Sequence, residues 1–208
     1  MSAFAPRHGA GLRHLADHPA VGVLLRQPSL VSLIRDALSD SALLYKATLF
    51  DKHADANWLV TWHQDVLIPV AEEIVVPGFL GWCRKDGVCY VQPPVLMLAG
   101  LVALRINLDD CDDRNGPLRV LAGSHRLGRV EQTQIPVAVE NHREEVITGE
   151  RGDGVLMRPL LLHASSKAST DSRRRVLHLE FADGDLPGGL AWHRQLSLAG
   201  GTKESETS

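Results

Sequence analysis

Residues 152–166 read GDGVLMRPLLLHASS, and residues 172–181 read SRRRVLHLEF. In the first stretch Gly152-Asp153 makes a turn, a strand is predicted over 154–162, and His163 closes it. In the second, a strand over 173–181 alternates with period two. It sets Arg174, Val176, His178 and Glu180 on one face and Arg175, Leu177, Leu179 and Phe181 on the other. An arginine projecting into a β-structure needs an anion, or it is an unpaired buried charge. Its planar fork matches a carboxylate. The plainer reading is a salt bridge or solvent exposure, and three arginines in a row favour solvation for at least two.

A second polar signal lies upstream, in TWHQDV at residues 61–66. A strand predicted over 58–66 places Thr61, His63 and Asp65 on one face and Trp62 on the other. A histidine and a carboxylate two apart can both reach one metal ion. An isolated pair of this kind is more often a polar strand end. His163 follows Asp65 by 98 residues, enough chain to return across a sandwich. Two histidines and one carboxylate leave one side of a metal open, the arrangement of non-haem Fe(II) oxygenases.

Working outward, residues 9–40 read as helical. Pro19 suits a first helical turn, and Leu30, Leu33, Ile34 and Leu38 fall on one helical face. Beyond residue 42 short apolar runs at 43–50, 58–66, 101–108, 117–121, 154–162 and 173–181 are separated by Gly, Pro, Asp and Asn clusters. A helical start followed by short strands predicts a mainly β fold, a sandwich or jelly roll with N-terminal helices packed on it. The 208 residues suit one domain. It is expected over 1–199, with a helical lead-in at 9–40, a jelly roll over about 42–192 and a disordered tail at 200–208.

Composition narrows the function. Apolar residues are 44%, charged residues 23% and the net charge −3, so no basic field exists to hold nucleic acid. The N-terminus has no secretory h-region, and no apolar run approaches a membrane span. Cys83, Cys89 and Cys111 lack zinc or disulfide spacing and read as reduced thiols in a cytoplasmic protein.

The segments LFDKHADANWLVTWHQD, LDDCDDRNGPLRVLAGSH, GDGVLMRPLLLHASS and RRRVLHLEF together resemble the phytanoyl-CoA dioxygenase-like family of Fe(II)- and 2-oxoglutarate-dependent oxygenases. The resemblance covers roughly residues 42–192 and is similar to the short bacterial members. It implies a double-stranded β-helix, the cupin-type jelly roll. It places the family's metal triad on His63, Asp65 and His163, and its 2-oxoglutarate arginine on Arg174, eleven residues after His163. Ser165 matches a hydroxyl the family often adds. Gln64 and Trp82 match further positions near the cosubstrate. The implied cofactors are Fe(II), 2-oxoglutarate and O2, with release of succinate and CO2. The implied partner is a small-molecule substrate. A carboxylate at Asp65 favours hydroxylation or desaturation, since halogenating relatives lack it.

Two other classes compete. A non-catalytic, metal-binding cupin-like module has no need of an anion pocket at Arg174 and Ser165. A zinc hydrolase with the same ligands ignores 2-oxoglutarate. Elsewhere, Arg105 and Asn107 share one face of the strand 101–108 and are candidate substrate contacts. DDCDDRNG lacks the EF-hand pattern and reads as a turn built on Asn115-Gly116. His178 shares the face of Arg174 and reads first as a core histidine. Substrate identity and oligomeric state stay open.

Overall fold

The computed structural model describes residues 11–170 and 173–198. The strands are β1 (Ala42–Lys52), β2 (Val60–His63), β3 (Ile68–Val70), β4 (Leu80–Lys85), β5 (Val88–Gln92), β6 (Val102–Asn107), β7 (Leu118–Leu121), β8 (Glu144–Ile147), β9 (Gly154–Met157), β10 (His163–Ser165), β11 (Arg174–Asp183) and β12 (Leu196–Ser197). The α-helices are α1 (Pro19–Leu24), α2 (Pro28–Ala37), α3 (Val95–Gly100) and α4 (Ile135–Asn141). The fold is mainly β, as the alternation predicts.

The chain forms two compact units, and β1, β6 and β11 contribute residues to both. Of the described residues, the first unit takes 11–13, 48–65, 104–170 and 173–178. Within it the strands lie in two sheets. One has the order β1-β11-β6-β9, the other β2-β10-β7-β8. In the second sheet β10 is central, antiparallel to β2 on one side and β7 on the other. Side chains of the two sheets meet: Lys52 on β1 reaches Ser165 on β10. On the outer side of β2, Trp62 packs on a cluster of Leu121, Ile135, Ala138 and Leu162. That burial fixes which way β2 faces and so turns His63 inward.

The second unit holds residues 14–47, 66–103 and 179–198. Its own sheet has the order β3-β5-β4. Tyr45 stacks on Trp192 at 4.4 Å between ring centroids and donates to Glu180 at 3.0 Å. Glu180 also pairs with Lys46 at 2.6 Å, so this buried carboxylate on β11 is neutralised locally.

Several expectations are corrected. The helical lead-in is two short helices, α1 and α2, each with proline in its first turn. Residues 11–18 are not helical, and Leu12 bridges to Leu49 in both directions at 2.8 Å. A Cβ on Gly11, at φ +155°, would sit 2.5 Å from the Leu49 carbonyl oxygen, so the bridge requires glycine there. In α2, Leu30 and Ile34 are buried but Leu33 is 42% exposed. The strand expected over 154–162 stops at Met157, and Arg158 and Pro159 begin a turn. Pro159 has no N–H for a ladder. His163 therefore opens β10 instead of closing β9. Likewise β2 ends at His63, leaving Asp65 beyond it. The hairpin of β4 and β5 was not anticipated. Asp86 and Gly87, at φ 51° and 81°, form its two-residue turn, a signal the sequence does carry in KDGV. The tail at 200–208 lies outside the described residues.

Candidate metal centre and anion pocket

His63 and His163 face each other across the β2–β10 ladder, where they are paired directly in register. Their ring centroids are 4.2 Å apart. Each ring is oriented by the same local device. Nδ1 of His63 donates to the Thr61 carbonyl at 2.9 Å, and Nδ1 of His163 donates to the Leu161 carbonyl at 2.8 Å. A carbonyl only accepts, so both Nδ1 atoms carry a proton, and in the neutral ring Nε2 is the nitrogen that offers a lone pair. Those Nε2 atoms point at Asp65, at 3.8 Å for His63 and 3.5 Å for His163.

Asp65 reaches this place although it lies outside β2. Its N–H donates to the Pro159 carbonyl at 2.9 Å, tying the segment after β2 to the turn before β10. Gln64 ties the same segments. Its amide donates to the carbonyls of Gly128 and Leu160 at 2.8 and 2.6 Å and accepts from the Val130 N–H at 2.8 Å. Both of its N–H groups are thus spent on backbone, which makes Gln64 a brace of the site. One donor atom each from His63, Asp65 and His163 lies within 4.8 Å of the others. His178, buried on β11, is also brought here, its Nε2 3.8 Å from an Asp65 oxygen. Burial, opposed only in part by Asp65, lowers the His163 pKa to about 4, so its imidazole is neutral near pH 7.

Beside the triad stands a group of buried cations. Arg174 is 3% exposed, its Nε has no hydrogen-bond partner, and its guanidinium contacts the Cys111 thiol. Burial lowers its pKa. Lys52, 1% exposed, donates to Ser165 Oγ at 2.6 Å and to the Ser166 carbonyl at 2.5 Å, and lies 5.5 Å from the Trp58 ring centre. Burial first, then Arg174 and Arg105, lower its pKa to about 7. Ser165 in turn donates to the Gly116 carbonyl at 3.0 Å. Gly116 belongs to the turn foreseen at Asn115-Gly116, where Asp112 accepts from the N–H groups of Arg114 and Asn115. Arg175, by contrast, forms a two-pronged pair with Asp109 at 2.6 and 2.8 Å, and Arg173 pairs with Asp51. Of the three consecutive arginines, Arg174 is the one turned inward.

Arg105 lies over Phe50, 5.6 Å from the ring centre. Asn107 lies against the turn at Gly149 and Asp153. Trp82 belongs to the second unit, half-buried on β4. Sequence reasoning missed Lys52, which reads as the opening of a loop in DKHADAN. Its signal was its place on the same inward alternation as Phe50 in the extended β1.

A family model described as phytanoyl-CoA dioxygenase (PhyH) matches residues 3–176, and the chain belongs to that family. The chain is 28% identical to an L-proline trans-4-hydroxylase of Streptomyces griseoviridis, over 76% of the chain and 61% of that enzyme's length. It thus spans about three-fifths of that relative. Among solved structures, EctD from S. alaskensis with 2-oxoglutarate and 5-hydroxyectoine is similar at a TM-score of 0.63 and 20% identity, over 83% of this chain and 56% of that one. AviO1 from Streptomyces viridochromogenes Tue57 has a TM-score of 0.61 and 20% identity, over 90% and 73%. These likenesses bear on the fold, the double-stranded β-helix expected from the sequence. Among the described residues no helix is long and apolar enough to cross a membrane.

Proposed function

We propose that the chain is a non-haem Fe(II)- and 2-oxoglutarate-dependent oxygenase that hydroxylates a C–H bond of a small or medium-sized organic substrate. The observation that carries the reading is the conjunction of a His63–Asp65–His163 donor set with a buried arginine whose Nε has no partner. Two neutral imidazoles and one carboxylate suit Fe(II). Arg174 is a cation built for an anion that none of the described residues supplies. When bound, iron with 2-oxoglutarate and O2 supplies oxidative decarboxylation to succinate and CO2, coupled to oxidation of the substrate.

The chain's own residues prepare that chemistry. His63 and His163 present Nε2 because the Thr61 and Leu161 carbonyls hold their Nδ1 protons. Asp65 supplies the carboxylate and Gln64 holds its segment in place. Arg174 binds the far carboxylate of 2-oxoglutarate through its fork, Lys52 adds a second cation, and Ser165 holds Lys52 in place. The resemblance to a hydroxylase, and to a structure described with 2-oxoglutarate, supports the oxygenase reading as a class. A bare metal-binding cupin or a zinc hydrolase leaves the Arg174–Lys52 cradle without a role.

Titrating Fe(II) into the oxygen-free protein by calorimetry tests the donor set. One tight site is expected in the wild type, and a loss of at least about tenfold in affinity for His63→Ala, His163→Ala and Asp65→Ala. Undiminished Fe(II) binding by these variants would sink it. Circular dichroism checks that each variant is folded.

A further inference from the structure

Resting on that reading, we infer that Arg105 is the substrate-recognition residue of this site and that the substrate is a small organic carboxylate. Arg105 sits on β6, which is hydrogen-bonded to β11, and its guanidinium lies over the Phe50 ring. Among the described residues it makes no hydrogen bond and no ion pair, while its outward neighbours Arg173 and Arg175 each have a carboxylate. Loss of solvent lowers its pKa to about 10, and the residue keeps part of its surface accessible. The Phe50 ring beneath it meets the His178 ring at 5.9 Å between centroids, and His178 Nε2 lies 3.8 Å from an Asp65 oxygen, so Arg105 stands on the side of the sheet that carries the donor set.

With 2-oxoglutarate bound, both of its carboxylates have counter-charges without Arg105. Fe(II) with Asp65 carries one positive charge and meets one carboxylate of 2-oxoglutarate. The other carboxylate meets Arg174 and Lys52. The site is already net positive before Arg105 is added, and a half-buried guanidinium that loses its remaining water without gaining a counter-ion is costly. The missing negative charge must come with the substrate. A single guanidinium backed by an aromatic ring presents one planar fork, which fits a carboxylate. A doubly charged phosphate calls for more donors than Arg105 alone offers. Truncating an arginine that pairs a buried carboxylate typically costs ~2–5 kcal/mol.

The test uses the full chain loaded with Fe(II) and 2-oxoglutarate in the absence of oxygen. Calorimetry and thermal melts compare three matched pairs: propionate with propionamide, benzoate with benzamide, and L-proline with L-prolinamide. Inorganic phosphate is a further arm. At least one carboxylate is expected to bind about tenfold or more tightly than its amide and to raise Tm. Arg105→Gln should abolish that preference and Arg105→Lys restore part of it, both with 2-oxoglutarate affinity within about twofold of wild type at about pH 6, where Lys52 is charged with or without Arg105. The inference is overturned if no carboxylate binds, if amides bind equally, if phosphate is preferred, or if Arg105→Gln weakens 2-oxoglutarate itself. Failure of the wild type to bind 2-oxoglutarate would instead overturn the oxygenase reading.

Discussion

Lys52 has a titration that links the cradle to stability. Its pKa, lowered from 10.5 to about 7, means that the folded chain gives up this proton over a range where the unfolded chain keeps it. Stability of the ligand-free protein therefore rises with pH from about 7 to about 10.5, and below about 7 the fold carries the full cost of a buried ammonium. An arriving carboxylate reverses the balance by favouring the charged form. Affinity for 2-oxoglutarate should be greatest at about pH 7 and below and fall as the pH rises beyond it. Lys52→Met should flatten that profile, weaken binding at low pH and raise the Tm of the ligand-free protein. Calorimetry across pH checks this. A wild-type affinity unchanged between about pH 6 and pH 9 would contradict it. The histidines show how little sequence is needed to aim a ligand: each uses the carbonyl two residues before it.

At the scale of elements, the site depends on turns as much as on strands. Gly116 lies at φ +73°, and a Cβ there would be 2.6 Å from the Ser166 carbonyl oxygen and 3.1 Å from Lys52 Nζ. The turn between β6 and β7 thus presses on the cradle through backbone. Gly116→Ala should displace Lys52 and Ser165. Backbone strain of this kind costs on the order of 1–3 kcal/mol. Melts should show a lower Tm and calorimetry a weakened 2-oxoglutarate affinity, with Fe(II) affinity near wild type. Unchanged binding of 2-oxoglutarate would show that the turn does not set the cradle. The strands themselves were legible wherever one face is buried. Burial alternates along Arg174–His178 as predicted, because Arg175 and Leu177 are only half-buried. Alternation was a poorer guide at Asp65, which lies past the end of β2 and is placed by its hydrogen bond to Pro159. Such a long-range tie has no local pattern in the sequence.

For the whole molecule, the mainly β architecture was readable because short apolar runs and breakers recur after residue 42. The hairpin of β4 and β5 is announced only by its Asp86-Gly87 turn, since Gly78 and Gly81 and the nearby prolines read as interruptions. His63, Asp65, His163, Arg174 and Ser165 were legible through the family resemblance and alternation together. Lys52 and the bracing role of Gln64 were not, because each depends on partners far along the chain. The central claim is that one unit joins a metal donor set to an anion cradle around Arg174. The direct measurement is a 2-oxoglutarate titration of Fe(II)-dependent succinate release, with ascorbate and air, for the wild type, Arg174→Ala and Arg175→Ala. Truncating one partner of a buried arginine–carboxylate pair costs ~2–5 kcal/mol, or about 30- to several-thousand-fold at ~1.4 kcal/mol per tenfold. The account predicts iron-dependent succinate from the wild type, a rise of that size in the 2-oxoglutarate requirement of Arg174→Ala, and little change in Arg175→Ala, whose guanidinium pairs with Asp109. Wild-type protein that forms no iron-dependent succinate, or an Arg175→Ala defect larger than that of Arg174→Ala, would contradict it.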